Sequence, residues 1–192
     1  MALPARPSDF ERIYTSDEFE TLPEFDARYE LLDGRLVEKP MPGIEHGLIA
    51  DIIRDALRDF DRDRKLGLML QEVSTRLDQK DTPLPDLSFW KAGRVPNRTP
   101  GAGPKPDLAI EILSPRDIAS KKRRDNVQAK IRKYQASGVS IVWVINPRRK
   151  TVEVYHPDRP EPVEILDQSG TLTAGDVIPG FSLEVSKLFE QM

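Results

Sequence analysis

The sequence contains no cysteine and only two histidines, His46 and His156. The first absence excludes a disulfide framework, thiolate catalysis and cysteine-held zinc, and it leaves an intracellular, cytoplasmic chain as the default expectation. The second makes a histidine-rich centre improbable, so any metal has to be held mainly by oxygen ligands. No apolar run approaches the roughly 18 residues of a membrane-spanning helix, and residues 1–10 carry no basic segment leading into an apolar one. Neither a membrane span nor a secretory signal is therefore expected. An excess of positive charge is missing too: a formal net charge of −3 offers no global basic footprint for nucleic acid. Internal repeats are also absent.

At 192 residues the chain can bury one substantial core, which predicts a single domain over 1–192 with 1–14 as a loose lead-in. Hydrophobic residues at 38% and charged residues at 32% are ordinary for a folded protein and argue against disorder. Thr15 followed by Glu18 forms a capping box and predicts a short helix over 17–22. Asp33-Gly34, flanked by 29–32 and 35–38, predicts a hairpin. Glu30 lies within it and faces the same way as Leu32, which allows partial burial, but a surface or cross-strand charge is its simplest account. The recurrence of Leu48, Ile49, Ile52, Ile53, Ala56, Leu57 and Phe60 marks one buried helix face. That helix is expected to end at Gly67, and His46, in its first turn, reads as a solvated capping-region residue unless it faces a site. Strands are expected at 68–77 and 85–90, the latter opening on Pro85-Asp86. A Pro- and Gly-rich connection over 94–104 is expected to rim a site.

The stretch 105–115 is a short strand bounded by prolines, and it carries acids inside an apolar run. Alternation puts Asp107, Ala109 and Glu111 on one face and Leu108, Ile110 and Ile112 on the other. An unpaired buried carboxylate costs several kcal/mol, roughly, so such groups need a salt bridge, hydrogen bonds or a metal. For Asp107, at the strand's start, a structural ion pair serves equally well. Glu111, between two isoleucines, points more strongly to a divalent-metal site.

A polar helix over 118–136 follows, with Val127, Ile131 and Tyr134 as its inward stripe and Gly138 as its stop. Lys130 borders that stripe and is best placed to reach over the sheet, but Lys133 could also lie at the edge and periodicity leaves both open. Lys121, Lys122, Arg123 and Arg124 are consecutive, which suits either a solvated face or phosphate binding beside the acidic strand. The apolar strand 139–145 is expected to pair in parallel with the acidic one. Strands at 151–155 and 162–166, and a short C-terminal helix, complete the tail.

The order helix, strand, strand with Pro-Asp, strand with a buried Glu, helix, strand resembles the core of the PD-(D/E)xK nuclease superfamily, and in detail its Uma2 branch. The carriers are Tyr29-Glu30-Leu31 with Gly34, Glu45-His46-Gly47, Pro85-Asp86, Pro106-Asp107, Glu111 with Ser114-Pro115, Lys130 with Tyr134, Gly138-Val139, Val142-Trp143-Val144 and Gly180-Phe181. They span about 29–183, and their order is more specific than any one of them. The resemblance implies an α/β, restriction-endonuclease-like mixed central sheet flanked by helices, with added N- and C-terminal β-hairpins. It implies that Asp86 and Glu111 bind a divalent ion, Mg²⁺ or Mn²⁺, with Asp107 as a possible third ligand and Glu30 and His46 as supporting groups. Where the superfamily pattern has a lysine, two residues after Glu111, this chain has Leu113. In the Uma2 branch that lysine comes from the next helix, at the position of Lys130.

The implied activity is metal-assisted hydrolysis of phosphodiester bonds in DNA, by an endonuclease that a homodimer would suit. Asp86, Glu111 and Lys130 would be the catalytic set, and the basic run would hold flanking phosphates. The alternative is a catalytically inactive module of the same fold that binds nucleic acid or a protein.

Overall fold

The computed structural model describes residues 7–23, 25, 27–94 and 101–190. In chain order its elements are α1 (Pro7–Glu11), α2 (Ser16–Glu20), β1 (Arg28–Leu32), β2 (Arg35–Lys39), α3 (Ile44–Phe60), β3 (Gly67–Gln71), β4 (Thr75–Arg76), β5 (Leu87–Lys91), β6 (Gly103–Pro104), β7 (Leu108–Ile112), α4 (Lys121–Ser137), β8 (Ile141–Asn146), β9 (Thr151–Tyr155), β10 (Glu164–Leu166), β11 (Thr171–Thr173) and β12 (Ser182–Glu184).

Six strands form one mixed sheet in the order β10-β9-β8-β7-β5-β3. The β7–β8 pair is parallel and the other neighbours are antiparallel. Parallel neighbours need a crossover, and α4 supplies it. It starts at Ser120, whose side chain accepts from Arg123 N, and stops at Gly138 in the left-handed conformation.

All residues of β7 and β8 are buried because both faces of the sheet are covered. Leu108, Ile110, Ile112, Trp143 and Ile145 pack with Ile49, Ile53 and Leu57 of α3 and with apolar residues of segment 172–189. Ala109, Val142 and Val144 pack with Ile131 and Tyr134 of α4. The period of two therefore delivers Glu111 to the α4 side.

The β1–β2 hairpin pairs Leu32 with Arg35 and continues to Arg28 with Lys39. Asp33 and Gly34 have φ of 51° and 73°, the two positive angles that a type I′ turn requires. Leu31 and Leu36 bury with Tyr14 in a separate small cluster. Leu31 also exchanges two backbone hydrogen bonds with Thr82, at 3.1 and 2.9 Å, which lays the hairpin along the segment leading into β5.

Several expectations need correction. Of the lead-in 1–14, residues 1–6 lie outside the described residues, while Pro7–Glu11 is helical and Tyr14 is buried. The helix expected to run to Gly67 ends at Phe60, and Asp61 then binds the Lys65 and Leu66 N–H groups. Gly67 instead opens β3, where a Cβ would overlap Trp90 O and the Phe89 ring. The strand expected over 68–77 is broken at Glu72, which has a φ of 51°. The tail strands β9 and β10 extend the central sheet, and the C-terminal hairpin proper is β11–β12. The last helix is the 3-10 turn Val185–Phe189. No helix among the described residues is long and apolar enough to cross a membrane.

Candidate active site

A cavity of about 100 Å³ opens between the hairpin, the N-terminal half of α4 and the ends of β5 and β7. It is lined by Glu30, Lys39, His46, Asp86, Glu111 and Lys130, among others. Five of these, all but Lys39, were expected from the sequence, and they come from five different elements or their edges: β1, α3, β5, β7 and α4. The hairpin supplies Glu30 and Lys39, since register pairs put 30 opposite 37 and 28 opposite 39, all on the face away from Leu31 and Leu36.

Asp86 sits just before β5 and is 2% exposed. Its backbone N–H donates to Ile110 O at 3.1 Å, and its Oδ2 accepts from Ile112 N at 2.6 Å, so β7 fixes the carboxylate directly. Oδ1 faces Lys39 Nζ at 2.7 Å and His46 Nε2 at 3.2 Å. Neither approach is aligned as a hydrogen bond, so Oδ1 is a buried acceptor with none among the described residues.

Glu111 uses one oxygen for two donors. Its Oε1 accepts from Tyr134 OH at 2.7 Å and lies 2.9 Å from Lys130 Nζ. None of the described hydrogen bonds falls on Oε2. Lys130 Nζ is also 2.6 Å from Glu30 Oε2 and 3.4 Å from Leu84 O. Glu30 Oε2 in turn accepts from Leu84 N at 3.1 Å. The result is a buried chain of charge: three carboxylates, Glu30, Asp86 and Glu111, against the two ammonium groups of Lys39 and Lys130.

Burial penalises the charged form of every one of these groups, and the neighbours decide the outcome. For Asp86 the Lys39 charge and His46 outweigh burial, and the carboxyl is held well below the usual carboxylate range. For Glu111 burial wins, helped by Asp86 and Glu30 against Lys130 and Lys39, and the carboxyl lies above its usual range. Burial pulls the Lys130 ammonium down, but Glu111 and Glu30 more than compensate and raise it. His46 is also raised, because its contact with Asp86 exceeds the burial penalty. Burial and the Glu111 charge push the Tyr134 hydroxyl far up, so it serves Glu111 as a neutral donor.

The two carboxylates thus differ in character. One is firmly ionised and the other is short of positive charge.

The choice between Lys130 and Lys133 is decided by position on α4. Lys133 turns to the hairpin tip and pairs with Asp33 and with Asp81, the latter at 3.0 Å. Leu113 forms part of the cavity wall, so the place two residues after Glu111 presents an apolar side chain there. His46 is not a solvated capping residue but a neighbour of Asp86, and Glu30 is not a surface charge but a buried partner of Lys130.

Asp107 is the correction in the site. It stands at the opposite end of β7, where its Oδ2 accepts from Lys91 N at 2.9 Å and its Oδ1 pairs with Arg94. Four residues of extended chain, about 13 Å, separate it from Glu111, and it does not line the cavity. It is a structural ion pair tying β5 to β7, at the end of the strand away from the cavity. The connection 94–104, expected at the rim, is outside the described residues over 95–100, and its described flanks do not line the cavity either.

Two participants were missed. Tyr134 belongs to the inward stripe of α4, and its place beside Lys130 brings its hydroxyl over the Glu111 face. Lys39 had a usable signal, since the Asp33-Gly34 turn sets a register that puts residues 30 and 39 on one hairpin face.

A family model described as Uma2, putative restriction endonuclease, matches residues 16–186. The chain is also similar to a crystal structure described as a putative nuclease belonging to DUF820, from Anabaena variabilis ATCC 29413. Identity is 26% and the TM-score 0.78, covering 92% of this chain and 97% of that one. Comparison with curated proteins returns no match.

Proposed function

The chain belongs to the Uma2 family, and from that membership and the geometry of its cavity we propose that it is a metal-dependent endonuclease that hydrolyses phosphodiester bonds in DNA. The observation that carries the reading is the convergence of the buried Asp86, Glu111 and Lys130 side chains, from three separate segments, in one cavity.

The donor set suits a hard divalent ion. Mg²⁺ and Mn²⁺ take oxygen ligands, and Mg²⁺ is commonly held by only one or two carboxylates, with water and substrate phosphate completing its shell. Asp86 Oδ1, buried without an aligned hydrogen bond, and Glu111 Oε2, which accepts none of those described, are the oxygens that would hold it. Glu111 is short of positive charge, which favours the same assignment. When bound, such an ion supplies a more acidic water and positive charge beside the phosphate.

The remaining work belongs to side chains of this protein. Lys130, fixed between Glu30 and Glu111, presents a permanently charged donor to the oxygens on which negative charge develops. Tyr134 holds Glu111 by one oxygen and so aims the other. Ile112 N–H does the same for Asp86. Arg123 and Asn126 line the cavity and would bind phosphates flanking the cut, a contact that positions DNA without reading its sequence. Arg124, with Arg148 and Arg149, lines an adjacent depression that shares Leu113, Asp117 and Val127 with the cavity, and extends the same track.

Cleavage of plasmid DNA with Mg²⁺ or Mn²⁺ tests the reading, comparing wild type with Glu111→Gln and Lys130→Met. Loss of nicking in both variants is the expected result, whereas identical traces in all three proteins would mean that the activity is a contaminant's. Leu113 in the wall and Lys39 on Asp86 favour a second reading, a nuclease-like module that binds without cutting. That module would bind DNA in a salt-dependent way, indifferent to Glu111→Gln and to divalent ions.

A further inference from the structure

Lys39 has no part in the reaction outlined above, yet it makes the closer of the two side-chain approaches to Asp86 Oδ1. Its Nζ lies 2.7 Å from Oδ1, against 3.2 Å for His46 Nε2, and its side chain is only 10% exposed. The same ammonium donates to Leu84 O, the carbonyl that Lys130 Nζ reaches at 3.4 Å. It is therefore held from two sides in the cavity rather than left in solvent.

The position bears on metal binding because the two oxygens of Asp86 are not equally free. Ile112 N–H takes a lone pair of Oδ2 at 2.6 Å, whereas Oδ1 carries no aligned hydrogen bond from the described residues and is the oxygen more available to an ion. Mg²⁺ binds oxygen at about 2.1 Å. An ammonium in contact with that same oxygen stands close enough to repel the ion strongly, in a setting where burial weakens solvent screening. The two cations are therefore alternatives at Oδ1. Lys39 is also the last residue of β2, paired with Arg28 and followed by Pro40, Met41 and Pro42, which belong to no helix or strand. Its long stem can swing without breaking the hairpin.

We propose that Lys39 is a built-in counter-cation for Asp86: it keeps the metal-free cavity folded, and a divalent ion binds by displacing it, so that Lys39 sets the metal affinity of the site. The inference rests on the metal-dependent reading above. It makes Lys39 a positioning residue that exchanges one compensating charge for another at a buried carboxylate.

Isothermal titration of Mn²⁺ into the full chain tests it, using wild type, Lys39→Met, Lys39→Gln and Glu111→Gln. Lys39→Met is expected to bind Mn²⁺ more tightly than wild type by roughly tenfold or more, since removal of a like charge at contact distance is worth at least that factor. Without the ion it should melt below wild type, and Mn²⁺ should raise its melting temperature by more than it raises that of wild type. If the Met variant does not fold, Lys39→Gln, which keeps a donor for Leu84 O, carries the same comparison. Glu111→Gln should abolish the binding heat. Glu111-dependent Mn²⁺ binding in wild type, combined with equal or weaker affinity in both Lys39 variants, overturns the role of Lys39 and leaves the metal site standing. Absence of Glu111-dependent binding in wild type and in both Lys39 variants overturns the metal reading, and the role of Lys39 with it.

Discussion

Replacing Lys130 with methionine removes the charge that holds two buried carboxylates together. Glu30 and Glu111 lie 2.6 and 2.9 Å from Nζ and are about as buried as the lysine itself. Each keeps one neutral donor, Leu84 N for Glu30 and Tyr134 OH for Glu111. Among the described residues neither retains a compensating charge at contact distance. Breaking a buried ion pair from one side costs about 3–5 kcal/mol, because the stranded charge remains out of water. For a chain of this length, at about 2–4 °C per kcal/mol, the melting temperature should fall by roughly 6–20 °C. Thermal and urea unfolding followed by circular dichroism measure the loss. The double variant Lys130→Met with Glu111→Gln removes one stranded charge and should recover part of it, with a coupling energy on the order of 0.5–3 kcal/mol. Two outcomes refute the reasoning: a Lys130→Met protein within about 1 kcal/mol of wild type, or strictly additive losses in the double variant.

Tyr134→Phe should cost about 1.5–3 kcal/mol of stability, the range for a hydrogen bond to a charged group, and should slow cleavage; unfolding and nicking assays check both. Arg123→Ala should weaken DNA binding equally across sequences and lower the salt dependence by about one phosphate contact, read from the slope of affinity against salt. Asp107→Asn should lower stability through its lost pairing with Arg94 while leaving Mn²⁺ binding intact, which calorimetry tests directly. Burial lowers the affinity of Lys133 for its proton, but Asp33 and Asp81 outweigh it and raise the ammonium above its ordinary 10.5. A raised lysine stabilises the fold fully below its unfolded value and loses that contribution as pH climbs through its folded one. The stability gap between wild type and Lys133→Met should therefore hold steady up to about pH 10 and shrink above it, as denaturation at graded pH will measure.

Much of this protein was legible in its residues because the periods are local. The Thr15–Glu18 capping box, the Asp33-Gly34 hairpin, the inward stripe of α4 and the apolar face of α3 through Ile49, Ile53 and Leu57 appear where spacing put them, whereas Phe60, expected on that face, is 44% exposed at the end of the helix. Alternation along β7 correctly separated Glu111 from the Leu108, Ile110 and Ile112 face. Breaks were harder to read. The bend at Glu72 and the close approach at Gly67 depend on neighbouring strands, which no window of sequence contains.

The order of elements and the buried face of each were thus determined by the chain itself, since both follow from the geometry of a helix turn and a strand pleat. The partner of each charge was decided by tertiary structure alone. Asp107 and Glu111 share a strand face, yet the register of β5 against β7 sends the first to Arg94 and the second to Tyr134 and Lys130. Lys130 and Lys133 border the same helix edge, yet where the hairpin lies gives one the cavity and the other the hairpin tip. Lys39 reaches Asp86 across 47 positions of sequence only because Leu31 and Thr82 clamp the hairpin beside β5. Charge acts through space, and only the fold sets the distances.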